Sequence, residues 1–162
     1  MTGAVVALAL LGLFHNGDAT EHRDVRVQHA HVAGWRLEVR GDRFTGQTTC
    51  ALRRDDIVYD HGVVTFALGH RVDTANATYR LDDGPVRRAG DVAVEAAGLG
   101  ARFDSQNLDN PSNGEVRIPA KDLGDARKIY IRANTKMTHR IFDLAGLPRA
   151  LEAAKARNCD TP

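Results

Sequence analysis

Trp35-Arg36-Leu37-Glu38-Val39-Arg40 sets apolar and charged residues in strict alternation. Successive side chains of a β-strand point to opposite sides, so this run reads as a half-buried strand. Trp35, Leu37 and Val39 make its inner face, and Arg36, Glu38 and Arg40 its wet one. Trp35 is the only tryptophan. Its place at the start of the strand predicts partial burial against the core, beside a C-terminal helix.

Further strands follow from here. Gly41-Asp42 and Gly46 punctuate the chain, and Thr49 to Leu52 carries Cys50 into a second strand. Val63-Val64-Thr65-Phe66-Ala67-Leu68 is β-rich and more continuously apolar, the pattern of a more central strand. Ala77-Thr78-Tyr79-Arg80-Leu81 comes next, ended by the turn signal Asp82-Asp83-Gly84-Pro85. Val86 to Val94 is expected to continue the meander. Glu115-Val116-Arg117-Ile118-Pro119 and Lys128-Ile129-Tyr130-Ile131-Arg132 alternate again.

Helical signals are fewer. Leu123 to Arg127 reads as a single turn. Phe142-Asp143-Leu144-Ala145-Gly146-Leu147 leads into Pro148 to Arg157, where Leu147, Leu151 and Ala154 fall at i, i+4 and i+7. Pro148 suits a first helical turn, where its missing N–H costs nothing. Glu152 before Lys155 and Arg157 agrees with the helix dipole. The expected fold is α+β and mostly β: an antiparallel sheet or sandwich closed by a C-terminal helix, forming one domain over residues 35–160. A hydrophobic content of 43% supplies one core for a chain of 162 residues.

The first residues read as an export signal. Ala4 to Phe14 is apolar without interruption. That is shorter than the ~20 residues a membrane-spanning helix needs, and it fits the apolar region of a secretory signal. Gly17 and Ala19 offer small residues for cleavage after Ala19, so residues 1–19 are assigned as a signal peptide. The segment ahead of the apolar run has no Lys or Arg, and a buried N-terminal strand or helix is the alternative. Residues 20–34 are polar and His-rich, and are expected to form an arm. No Cys follows the apolar run to carry a lipid, and no later segment is expected to cross a membrane. The resulting location is periplasmic or secreted. In such a compartment thiols oxidise, so Cys50 and Cys159 are expected to form one structural disulfide. In a reducing compartment they would be two buried thiols.

No catalytic signature stands out. Ser105 and Ser112 are the only serines, and neither has a nucleophile-elbow context. A nucleophilic Cys50 would need a free thiolate, which pairing with Cys159 removes. Glutamate occurs only at 21, 38, 95, 115 and 152, so a carboxylate pair for hydrolysis would have to be assembled by the fold. Gly98-Leu99-Gly100 lacks the third glycine of a dinucleotide fingerprint. The formal charge of +1 argues against a nucleic-acid partner. No cofactor is implied.

Two binding candidates remain. Glu21, His22, His29 and His31 place enough nitrogen and oxygen ligands within one short segment for zinc or copper, although a His-rich arm is more often simply solvated. The twelve residues from Asp104 to Glu115 run from Asp to Glu like a calcium loop. Leu108 and Asp109 occupy positions five and six, where such a loop needs an oxygen ligand and a glycine, so that register fails. Asp104, Asn107, Asp109, Asn110 and Asn113 are instead a candidate partner-binding loop.

The order of Trp35, Gly41-Asp42-Arg43-Phe44-Thr45-Gly46, Cys50, Asp73-Thr74, Ala77 to Asp82, Phe142 to Leu147 and Cys159 resembles small exported proteobacterial proteins. The Tyr-Arg-x-Asp strand and the Phe-x-Leu-x-Gly helix with its terminal Cys are more distantly similar to periplasmic accessory proteins of type VI secretion. The resemblance implies an envelope location, a β-rich fold and a disulfide. It brings no active-site residues. The expected function is therefore a non-enzymatic envelope domain that binds a protein or cell-wall partner. A carboxylate-dependent wall or glycan hydrolase and a metal-binding protein working through the His-rich arm are the alternatives. A cleft holding two carboxylates would favour the hydrolase, and a flat sheet face with exposed apolar residues would favour the binder.

Overall fold

The computed structural model describes residues 25–69, 72–99, 114–133, 139–157 and 159. Six antiparallel strands form the first sheet: β1 (Val25–Val32), β2 (Trp35–Asp42), β3 (Thr48–Arg54), β4 (Ile57–Asp60), β5 (Val63–Ala67) and β8 (Glu115–Pro119), adjacent in that order. The second sheet is formed by β6 (Thr78–Leu81), β7 (Arg87–Arg88), β9 (Lys128–Arg132) and β10 (His139–Asp143), in the order β10-β9-β6-β7. Helices α1 (Gly90–Gly98), α2 (Ala120–Leu123) and α3 (Leu147–Lys155) complete the described elements.

The alternation read at Trp35 is realised. Trp35 and Leu37 are fully buried and Val39 nearly so, while Arg36 and Arg40 are exposed. Leu52, Val64, Phe66 and Ile118 continue the inner face across the sheet. They share one core with Tyr79, Ile129, Ile131 and Phe142 from the second sheet. The Phe66 and Phe142 rings meet across that core at 5.2 Å. Between the layers, Arg140 donates to the Ala67 carbonyl oxygen at 2.7 Å and to Asp56 at 2.6 Å. Arg54 donates to the Ala145 carbonyl and to Asp143, each at 2.8 Å.

Tight turns fix the register. Ala33 and Gly34 both have positive φ, as do His61 and Gly62, and each pair joins strands whose flanking residues are partners. Two-residue hairpins take this conformation because its twist matches that of the strands it joins.

Helix α3 packs on the β1, β2 and β3 end of the first sheet through Leu147, Ala150 and Ala154. Ala150 replaces Leu151 on the fully buried stripe, and Leu151 is half-buried. Gly146 starts this helix at φ +80, and a Cβ there would run into the Ala33 carbonyl oxygen. A residue with a side chain would therefore push α3 away from the β1–β2 turn. Beyond the helix, Cys159 is bonded to Cys50 on β3, with a Cα–Cα distance of 5.4 Å. Both cysteines are buried.

Three expectations need correcting. The arm expected over residues 20–34 is a strand from Val25 to Val32, paired with β2 along its whole length, so the domain includes this segment rather than beginning at Trp35. Its pattern is hidden because the apolar set shifts from odd positions (Val25, Val27) to even ones (Ala30, Val32) midway. The meander expected over Val86 to Val94 is only the short β7, after which the chain turns into α1. The C-terminal helical run begins at Leu147, and Phe142 belongs to β10.

Candidate functional site

The two sheets differ in what their outer sides carry. On the first sheet, Glu38 of β2 is nearly buried on the outer side, beneath Arg40 and His29. Burial acts to raise its carboxyl, but a 2.6 Å hydrogen bond from Arg40 and the charges of Arg40, His29 and Arg53 leave it below the ordinary value. That carboxylate is therefore committed to an ion-pair cluster.

His29 and His31 alternate with Ala30 on β1, so they lie on one side of the strand, opposite Glu38 and Arg36. The Arg36 guanidinium stands 3.4 Å from both His29 ring nitrogens, a position that disfavours a second cation. Among the described residues no three His, Cys, Asp or Glu side chains come together to hold a metal. Glu21 and His22 lie outside the described residues, as do Asp104, Asn107, Asp109, Asn110 and Asn113.

The second sheet presents a different surface. Tyr79 and Ile131 point into the core, so Thr78, Arg80, Tyr130 and Arg132 point out. Antiparallel register then sets two rows across the strands. One runs Arg88–Thr78–Arg132–His139, and the other Arg80–Tyr130–Ile141. Residues directly opposite in neighbouring strands lie on one side of a sheet, so each row is a continuous strip of surface. A groove of about 220 Å³ lies over them, with Val86 and Ile141 among its lining residues. Val86 is 69% exposed and Ile141 57%, and with Phe44 they are the exposed large hydrophobics among the described residues. The Arg80 guanidinium lies 4.5 Å from the centre of the Tyr130 ring, a cation–π contact.

Among the described residues no carboxylate lines the groove. The nearest acids along these strands are engaged elsewhere. Asp143 pairs with Arg54, and Asp82 accepts the Lys128 backbone N–H at 2.9 Å. Three further carboxylates are likewise structural: Asp56 holds Arg140, Glu115 holds Arg117, and Asp42 accepts the backbone N–H groups of Phe44 and Thr45. Beneath the groove, burial raises the Tyr79 phenol above its ordinary value against the pull of Arg87, which keeps it neutral. These groups offer no general acid and nucleophile pair to a substrate in the groove. They offer cations, an aromatic ring and aliphatic surface.

This face was not singled out in the sequence. Its one signal was the alternation of Lys128 to Arg132, which marks Tyr130 as outward-facing. Nothing local says that this outward side is left open. No protein-family model, curated protein or solved structure matches the chain.

Proposed function

We propose that the protein is a non-enzymatic exported envelope domain that binds a protein or cell-wall partner through the open face of its second sheet. The observation carrying this reading is the exposure of Val86 and Ile141 beside the Arg80–Tyr130 pair, in a groove that no described carboxylate lines. Exposed apolar side chains clustered with an aromatic and arginines are the composition of interaction surfaces. The Cys50–Cys159 bond supports a location where disulfides persist, and no described helix is long and apolar enough to cross a membrane. The groove itself offers the hydrolase alternative no pair of carboxylates among the described residues.

Native affinity capture from cell envelope tests the proposal. The wild-type chain is expected to retain a partner that the Val86→Glu/Ile141→Glu variant loses. Fully burying one such aliphatic side chain contributes about 1.5–3 kcal/mol, so losing two should weaken capture roughly a hundredfold or more. Equal capture by both proteins, or wall-hydrolysing activity in the purified chain, would contradict it.

A further inference from the structure

Resting on that reading, we infer that the partner presents an acidic protein segment bearing an apolar side chain, and that the open face of the second sheet receives it. The charge of the face selects its sign. Arg88 and Arg132 stand in one row with His139, and Arg80 stands in the next. Neither row contains an Asp or Glu, and among the described residues none of these three arginines makes a salt bridge. Cations left without local counter-charges on an exposed sheet favour an anionic ligand, and arginine favours a carboxylate in particular, because its planar fork can donate two parallel hydrogen bonds.

The apolar row selects the class. Val86 and Ile141 are aliphatic and exposed, and a hydroxyl-rich glycan gains little by covering them. Tyr130 could stack on a sugar or a base, but Arg80 already lies over its ring. A groove of about 220 Å³ accommodates a side chain or two rather than a drug-sized molecule, which needs roughly 300 Å³ or more. An extended segment with a Leu, Ile or Phe two residues from an acidic one presents both on one side and meets both rows at once: its apolar side chain enters the groove and its carboxylate reaches the row of Arg88 and Arg132. Residues two apart in an extended chain share a side and repeat at the same interval as the two rows, which are themselves two residues apart along each strand.

The test uses the full, disulfide-bonded chain against an array of extended peptides in which Glu, Lys or Ser and Leu, Phe or Ser stand two residues apart, so that both face one side. Polygalacturonate and a single-stranded oligonucleotide serve as competitors. Glu/Leu and Glu/Phe peptides are expected to bind, at least tenfold more tightly than their Lys/Leu or Glu/Ser counterparts. Their affinity should fall as salt rises. The Arg88→Glu/Arg132→Glu variant should reverse the preference and bind Lys/Leu peptides, a gain that a misfolded protein could not show. Ile141→Ser should weaken Glu/Leu binding while preserving the preference for acidic over basic peptides. Absence of peptide binding, equal binding of Glu/Ser and Glu/Leu peptides, or displacement by polygalacturonate or the oligonucleotide at lower concentration than the best peptide would overturn the inference. If envelope capture still depended on Val86 and Ile141 in that case, the binding face would stand and only the partner class would fall. If capture were also insensitive, both would fall.

Discussion

Replacing Trp35 with alanine is expected to destabilise the domain by about 3–5 kcal/mol, the usual range for truncating a fully buried large aromatic. Trp35 has no exposed surface, and its indole Nε1–H donates to the Ala145 carbonyl at 3.0 Å, just ahead of α3. Arg54 donates to the same carbonyl and lies 5.9 Å from the Trp35 ring. The side chain thus fills the space between β2 and the entry to α3 and also holds that entry in place. Trp35→Phe should cost clearly less, since it keeps much of the apolar volume and Arg54 still satisfies the carbonyl. Urea unfolding followed by circular dichroism checks both variants. A loss under about 1 kcal/mol for Trp35→Ala would show that the β2–α3 contact is dispensable.

The second large effect is that of the disulfide. Cys50 and Cys159 are 109 residues apart in sequence, and closing so long a loop removes much freedom from the unfolded chain. The chain-entropy argument sets a ceiling near 4.7 kcal/mol for a loop of ~100 residues, and losing a native disulfide commonly costs about 2–5 kcal/mol. The Cys50→Ser/Cys159→Ser variant should therefore melt roughly 10 °C or more below the oxidised wild type. Reduction of the wild type should reproduce most of that drop. The two hydroxyls would also sit in a buried apolar site, which adds to the loss. Mass analysis of non-reduced digests should find the Cys50 and Cys159 peptides linked. Two alkylatable thiols in protein recovered from the envelope, or an unchanged melting temperature, would contradict this account.

What could be read in advance depended on whether a signal was local. The strands at Trp35, Glu115 and Lys128 are legible because each alternates across its length, and the strand at Val63 because its run is β-rich and continuously apolar. Val25 to Val32 is not, because its apolar positions change parity and its outer side carries His29 and His31. Residues 90–98 form a helix flanked by Gly90 and Gly98, where Val92 and Val94 suggested continued strand. Phe142 was read into the C-terminal helix because the turn at Leu144 to Gly146 is short, and it depends on Gly146 lying against Ala33. The candidate binding face was the least legible feature. Alternation shows that Tyr130 and Arg132 share one side of a strand, but only the register Arg88–Thr78–Arg132–His139 brings residues from four strands into one row. That register is set by long-range pairing, which no local pattern announces.

Site-specific photo-crosslinking in intact cell envelope tests the central claim most directly, that the open face of the second sheet is where the partner sits. A benzophenone side chain replaces Ile141 in one protein and Phe44 in another. Phe44 is 91% exposed, at the β2–β3 turn of the other sheet, and so controls for general apolar exposure. A discrete higher-mass adduct is expected from position 141 and none from position 44. An adduct from position 44 alone, or none from position 141, would contradict that placement of the partner.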